Sequence, residues 1–322
     1  RQAREQPSAF LTELLEGKQS GVYCFPLHYI KELTHNFHED SSIGEGSYGT
    51  VFKGRDLNFP TGKEVAIKRL HMNYLTDVHE VRRCQERSFE QELEILSSFH
   101  HPNIVKLYGY VNTYENTTSS SFPFSLFSSS SSRDLEMCLI FELGSLGTVS
   151  SHLLDNDKAT RFGWDKRIKV AFGIAKAINY LHHHNSTKPV FHRDIKSANV
   201  VLMWDYTPKL IDCGLGLLAD NEAKLVDGQT VTSNRAIGTP GYMCPAYSNT
   251  LKSSAKSEVY SYGIFLLELL TGRVQANEGA ATGLVNQLCS ASNGFPGVNM
   301  IYSANEENIK RGRAWIDTNL DC

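Results

Sequence analysis

Three glycines, at 44, 46 and 49, stand in the run Ile43-Gly44-Glu45-Gly46-Ser47-Tyr48-Gly49-Thr50-Val51. The kind of element that this run opens constrains the fold more than any other feature of the chain. Glycines at this spacing let a backbone approach phosphate oxygens with no Cβ in the way. In a dinucleotide-binding βαβ unit such a loop opens a helix. Here it opens Thr50-Val51-Phe52, and a second β-branched run, Val65-Ala66-Ile67, leads into Lys68. Both runs are strand patterns, so a Rossmann loop is excluded. A lysine that closes an apolar strand is ordinarily a solvated strand end, and Lys68 acquires meaning only from its company.

That company comes later in the chain. Phe89, Leu93 and Leu96 recur at helical spacing and predict an amphipathic helix over residues 87–98, on which Glu90, Glu92 and Glu94 compete as partners for Lys68. The most specific segment is Phe191-His192-Arg193-Asp194-Ile195-Lys196-Ser197-Ala198-Asn199. An Asp and an Asn at this separation are common in loops by chance. Behind His-Arg, and flanked by two predicted short strands, they are far less common. Asp194 is then placed to orient the proton of a hydroxyl nucleophile, and Asn199 to bind Mg²⁺. Asp212 comes after the next predicted strand, where a carboxylate suits a Mg²⁺ that bridges phosphates. The run Gly238-Thr239-Pro240-Gly241-Tyr242-Met243-Cys244-Pro245-Ala246 reads as the end of a loop that begins at Asp212.

Around these motifs the chain divides into a strand-rich part and a helix-rich part. Residues 1–36 read as a linker with an amphipathic patch (Phe10, Leu11, Leu14, Leu15) able to dock on the domain. Strands are expected at 104–111 and 137–141, separated by a serine-rich, low-complexity stretch over 113–133 that reads as an exposed, disordered insertion. Beyond it, Trp164, Ile168, Ala171, Ala175, Ile178 and Leu181 share a helix face. Short strands are expected at 189–192, 200–202 and 209–211, and 259–270 reads as a helix apolar almost all round.

Composition bounds the partners. Hydrophobic residues make up 41% and charged residues 21%, with a formal net charge of -3, which gives no electrostatic footprint for nucleic acid or an anionic membrane. The seven cysteines form no Cys-x-x-Cys pair, so neither a zinc site nor a disulfide framework is indicated, and a reducing, cytoplasmic compartment is expected. The longest apolar run, near 264–270, is interrupted by Glu268 and is too short to span a bilayer. No signal peptide is evident, and a chain that opens at Arg1 and stops at Cys322 reads as a fragment.

With these residues in view, the chain resembles the protein kinases of the group that contains the interleukin-1-receptor-associated kinases, Pelle and the plant receptor-like kinases. The resemblance rests on Ile30-Lys31-Glu32-Leu33-Thr34-His35-Asn36-Phe37, on His100-His101-Pro102-Asn103-Ile104-Val105, on Asp194 to Asn199, and on 257–273 with its Leu-Leu-Thr-Gly-Arg ending. It covers 25–322 and implies an α+β, two-lobed kinase fold, with a small lobe over 37–141 and a helical lobe over 142–322 that stops before its last helices. It also implies an ATP-dependent serine/threonine kinase acting on protein substrates in receptor-proximal signalling, with ATP and Mg²⁺ as cofactors.

Residue by residue, the resemblance assigns Ile43, Gly44, Glu45, Gly46 and Gly49 to the phosphates, and Val51, Ala66 and Val201 to the adenine. Phe141 becomes the gatekeeper, with Glu142 and Leu143 as hinge contacts. Lys68 reaches the α- and β-phosphates, and Glu92 is chosen as its partner because the family's pairing glutamate lies three residues after a phenylalanine, here Phe89. Asp194 and Lys196 become catalytic, and Asn199 and Asp212 the metal ligands. Thr230 and Ser233 align with the family's phosphorylated positions, which brings in a transient dimer for phosphorylation in trans, and adaptors or receptors reached through regions outside this chain. Three departures stand out: Cys213 in place of the phenylalanine of Asp-Phe-Gly, Ala246 in place of the glutamate of Ala-Pro-Glu, and Glu258 where an aspartate ordinarily holds the His-Arg-Asp backbone. They support a second reading, a pseudokinase scaffold of the same fold. A metabolic nucleotide-binding enzyme is disfavoured, since no Gly-x-x-x-x-Gly-Lys-Ser/Thr loop occurs.

Overall fold

The computed structural model describes residues 5–46, 49–57, 63–70, 89, 93, 96–112, 136–184, 189–212, 224–226, 230–232 and 236–275, with only the backbone described at 224–226 and 230–232. The chain forms two compact units. One comprises Arg1–Phe99 and Val105–Leu143, the other His100–Ile104 and Gly144–Cys322.

The first unit is built on a sheet of β1 (Tyr23–Cys24), β2 (Ser42–Gly46), β3 (Gly49–Arg55), β4 (Glu64–Leu70), β5 (Leu107–Asn112) and β6 (Met137–Glu142), in the order β1-β5-β6-β4-β3-β2. Only the β1–β5 pair is parallel. Register sorts the side chains by face, because paired residues share a face and successive residues alternate. Phe52 pairs with Ile67, and Ile67 with Ile140, so these three line one face. Val51 pairs with Lys68, Lys68 with Leu139, and Ala66 with Phe141, so these line the other.

The opening segment covers the first of these faces. It folds into α1 (Pro7–Leu15), β1 and α2 (Leu27–Leu33). Phe10, Leu11, Leu14, Phe25, Tyr29, Ile30 and Leu33 are buried in one cluster with Phe52, Val65, Ile67, Val111, Cys138 and Ile140. Each large apolar side chain so buried contributes about 1.5–3 kcal/mol before ordering costs. β1 can lie beside β5 only because residue 109 is glycine: a Cβ there would collide with the Tyr23 carbonyl oxygen. After α2 the chain turns through three left-handed residues, His35, Asn36 and Phe37. The cost of about 1–3 kcal/mol for each such residue is offset by local bonds. Phe37 N donates to Thr34 Oγ1 at 3.1 Å, and Arg69 lies 4.6 Å over the Phe37 ring while also bonding Glu136.

The second unit contains α3 (Val149–Leu154), α4 (Asn156–Arg161), α5 (Trp164–His183), α6 (Pro245–Thr250) and α7 (Ala255–Thr271). Its two small sheets are β7 (Gly147–Thr148), β8 (Val200–Leu202) and β9 (Pro208–Leu210), and β10 (Lys224–Val226), β11 (Thr230–Thr232) and β12 (Lys252–Ser254). Residues 100–104 join this unit by hydrogen bonds. Leu210 N donates to the Asn103 carbonyl, Asn103 Nδ2 to the Pro208 carbonyl, and the His100 N–H to Tyr180 Oη. The strand expected from Ile104 therefore begins at Leu107, because the backbone of 103–104 is engaged with β9 instead.

Four other sequence expectations shift. Residues 189–192 form no strand, although the Val190 N–H is tied to the Leu181 carbonyl. The buried stripe of α5 runs through Trp164, Arg167, Val170, Gly173, Ile174, Ala177, Ile178 and Leu181, leaving Ile168, Ala171 and Ala175 half-buried. Arg167 is buried because it donates to the carbonyls of Phe162 and Leu269, and Gly173 because Pro208 packs where a Cβ would stand. α7 is not apolar all round: its buried residues include Glu258, Ser261 and Glu268, while Val259 is exposed. Finally, the stretch after Asp212, expected to lack regular structure, carries β10 and β11, the latter paired to β12. The serine-rich stretch 113–133 lies outside the described residues. No described helix is long and apolar enough to cross a membrane.

Candidate active site

Two sets of predicted residues are placed, one in each unit. In the first unit, Val51, Ala66, Lys68 and Phe141 share the sheet face opposite the apolar cluster. Lys68 does not end its strand. It is buried in the course of β4, which runs on to Leu70. Ile43, Gly44, Glu45 and Gly46 form the exposed strand β2. The three glycines differ in what requires them. A Cβ on Gly49 would collide with the Arg69 carbonyl oxygen, so strand packing demands glycine there. Among the described residues nothing lies within 4 Å of a Cβ on Gly44, and the nearest atom to a Cβ on Gly46 is 3.8 Å away. The Glu142 N–H donates to the Lys106 carbonyl at 2.9 Å, and Leu143, half-buried, is the last residue of this unit. Glu92 lies outside the described residues, although Phe89 and Leu93 on either side of it are helical.

In the second unit the predicted residues meet. Asp194 is bonded on both carboxylate oxygens: Thr239 Oγ1 donates to Oδ1 at 2.6 Å, while Asn199 Nδ2 and Lys196 Nζ reach Oδ2 at 3.0 and 2.8 Å. Lys196 Nζ also donates to Thr239 Oγ1 at 2.7 Å, which closes a ring of Asp194, Lys196 and Thr239. Burial pushes the Asp194 carboxyl upward, but the bonds from Lys196 and Thr239 and the Lys196 charge outweigh it and hold the group below its ordinary value. Asp194 is therefore a carboxylate at neutral pH, able to orient or accept a hydroxyl proton.

Backbone bonds shape the loop around it. His192 Nε2 donates to the Ile211 carbonyl at 2.8 Å, and its Nδ1 accepts from Asp194 N at 3.3 Å. Ile211 N in turn donates to the Asn199 carbonyl at 3.0 Å, which brings Asp212 beside Asn199 in the chain's course. Asn199 Nδ2 is spent on the carbonyl and carboxylate of Asp194, leaving the amide oxygen as the atom it can offer a cation. That oxygen with the Asp212 carboxylate is a hard donor set suited to Mg²⁺ completed by water and phosphate. Arg193 and Asp212 have φ values of 66° and 60°, left-handed conformations that need holding.

The holders are residues that sequence reasoning undervalued. Glu258 Oε1 accepts from the Arg193 N–H at 2.6 Å and its Oε2 from His182 Nε2 at 3.0 Å. The departure from aspartate thus leaves the backbone contact in place. Glu268, noticed in the sequence only as an interruption of an apolar run, is fully buried and accepts from Ser197 N, Tyr242 Oη and Gln275 N. It ties the loop after Asp194 to the segment after Thr239. The signal was a carboxylate inside an otherwise apolar helix, which is retained in a core only when paired. Gly144 was also missed: a Cβ there would lie 2.5 Å from Val201 Cβ, so Val201 on β8 is half-covered by the bare backbone at 144. Ala246 is exposed on α6, and Cys213 and Ser233 lie outside the described residues. Thr230 sits on β11 with its backbone opposite Ser254.

A sheet-based unit followed by a helical unit, with an Asp-Lys-Thr ring beside an Asn and an Asp, defines a protein kinase domain. The protein kinase domain family model matches residues 37–309, and the chain belongs to that family. It is 34% identical over 267 residues to the probable serine/threonine-protein kinase PBL21 of Arabidopsis thaliana, which covers 83% of this chain and 60% of that protein. It is 36% identical to the receptor-like serine/threonine-protein kinase ALE2 of the same plant, over 84% of this chain and 31% of ALE2, and 35% identical to the serine/threonine-protein kinase PBS1, over 79% and 48%. The chain thus spans between about a third and three-fifths of the length of these relatives. The resemblance to plant receptor-like kinases holds at this level.

Proposed function

We propose that the chain transfers the γ-phosphate of ATP to serine and threonine hydroxyls of proteins. The observation that carries this reading is the Asp194 carboxylate, held ionised and immobile by Lys196, Thr239 and Asn199. Phosphoryl transfer asks little covalent chemistry of a protein and much positioning. Asp194 takes the hydroxyl proton, and Lys196, 2.8 Å from that carboxylate, shares charge with the transferring group. Asn199 and Asp212 would hold Mg²⁺, which would supply neutralisation of phosphate charge. Gly44 and Gly46, which no neighbour requires to be glycine, are the backbone that approaches the phosphates, and Lys68 reaches them from the same sheet. Val51, Ala66 and Phe141, on one face of the first unit's sheet, contact the base, with Glu142 and Leu143 at its edge. Protein substrates and signalling complexes in a cytoplasmic setting belong to this reading.

The test is an assay with Mg-ATP and casein. The unmodified chain is expected to label casein, and Asp194→Asn to lower the rate by about 10²–10⁴-fold with ATP affinity retained in calorimetry. ATP binding without any transfer by the unmodified chain would establish the pseudokinase reading instead. In the same samples, phosphopeptide mapping is expected to find Thr230 or Ser233 modified by a second copy, and the Thr230→Ala, Ser233→Ala double variant to be slower. A phosphate there would give Arg193 a charge-assisted partner.

A further inference from the structure

α1 lacks the usual anchor of a helix start. Its N-cap is Gln6, which makes no side-chain cap bond, and Pro7 at the first helical position has no N–H to offer. The first turn is held instead by a residue far away in sequence. Ser8 Oγ donates to Asp56 Oδ2 at 2.6 Å, and the same oxygen accepts from Tyr29 Oη of α2 at 2.7 Å. Asp56 is buried just past the end of β3, and its N–H is bonded to the Lys63 carbonyl across the hairpin. One carboxylate therefore ties both opening helices to the sheet. At the far end of α1, Glu16 meets Lys63 Nζ from that hairpin, so the helix is pinned at both ends with Phe10, Leu11 and Leu14 buried between. Of the two hydroxyls on Asp56, Tyr29 is buried, whereas Ser8 is half-buried, with exposed Gln6 and Ala9 close by in an uncapped first turn.

We propose that Ser8 is a phosphorylation site, and that a phosphate on it releases α1 from the apolar face of the sheet. A serine kinase using Mg-ATP would form the O–P bond at Ser8 Oγ and break the bond between the γ-phosphorus and the bridging oxygen of ADP. ADP leaves with that electron pair, and the hydroxyl proton passes to the kinase's base. The product replaces a neutral donor to Asp56 by a group of about −1.5 to −2 charge whose net effect on it is repulsion. A phosphate in the first turn of a helix is otherwise favourable, through the helix dipole. The buried carboxylate reverses that sign here, since like charges at this distance outside bulk water interact strongly. The device does not depend on the chain's own activity.

The experiment compares hydrogen exchange of the whole chain in four forms: unmodified, carrying phosphoserine installed at position 8 during synthesis, Ser8→Ala, and phosphoserine combined with Asp56→Asn. Phosphoserine is expected to speed exchange over residues 7–15 by about tenfold or more, with the amides of β3 and β4 still protected. Ser8→Ala, which removes one hydrogen bond without adding charge, is expected to change it less. Phosphoserine with Asp56→Asn is expected to recover most of the protection. Equal protection with and without the phosphate overturns the proposal. So does Ser8→Ala releasing α1 as fully as the phosphate, or Asp56→Asn giving no recovery while β3 and β4 remain protected.

Discussion

The glycine-bearing strands β2 and β3 of the first unit and the Asp194 loop of the second are built in opposite ways. β2 is exposed along its length, and two of its glycines have open space where a side chain could stand. Around Asp194, by contrast, almost every polar atom named is spoken for within the unit: Thr239, Lys196 and Asn199 hold the carboxylate, and Glu258 and Glu268 hold the backbone on either side of it. The difference comes from what each must do. A ligand-approach surface has to leave room, whereas a group that meets a transition state should already be oriented and undergo no reorganisation at the moment of reaction. On the proposed function, the first unit would act through an absence of side chains and the second through an excess of internal bonds.

The largest expected effect breaks the second half of that comparison. Glu258→Ala leaves the Arg193 N–H and the His182 ring without their acceptor inside a buried site. Urea unfolding is expected to show a loss of about 2–4 kcal/mol, with Glu258→Asp falling between the two because it keeps the charge but shortens the reach. A loss below about 0.5 kcal/mol, the range of an ordinary surface change, would show that the loop around Arg193 is held by other means.

The first half is sharpened by a pair of glycines. Gly49→Ala places a Cβ against the Arg69 carbonyl, and overpacking of this kind costs about 1–3 kcal/mol. Gly44→Ala meets nothing and is expected to change stability by less than about 0.5 kcal/mol while weakening ATP binding. Thermal melts with and without Mg-ATP separate the two effects. If Gly44→Ala leaves the ATP-induced shift unchanged, the bare backbone at 44 serves no phosphate.

Much of this was legible in the residues. The alternation that puts Val51, Ala66 and Lys68 on one face is written in β3 and β4, since every slip by one residue would turn Lys68 into the apolar cluster. The Asp194 to Asn199 spacing likewise sufficed to bring both to one place. What stayed hidden was polar burial. Arg167 and Gly173 disguise the true stripe of α5, because periodicity reads apolar residues and cannot see a guanidinium spent on two carbonyls or a glycine under a proline. Glu268 broke an apolar run without announcing the three donors that come to it from distant segments. The opening segment read as a linker because its apolar residues are interleaved with polar ones. Their destination, the apolar face of the sheet, depends on a glycine at 109, which lies in another strand.

The most condition-dependent effect concerns the sign of a titration, and it distinguishes two carboxylates of the second unit. Asp194 sits below its unfolded value, so its contribution is present above that value and is lost as pH falls through the folded one. Glu268 goes the other way. Burial raises its carboxyl, and the bonds from Tyr242, Gln275 and Ser197 only partly oppose that. The folded state then binds more protons than the unfolded chain in the window between the two values, and stability falls as pH rises through it. Tyr242→Phe removes one of the opposing donors, so the carboxyl rises further and the window widens toward neutrality. The variant is expected to lose about 1–2 kcal/mol near neutral pH and less in mild acid, as the carboxyl takes up its proton. Urea unfolding of the parent and the variant at the two pH values measures this directly. A loss of equal size in both conditions would mean that the carboxyl does not change protonation between them, which would overturn this account of Glu268.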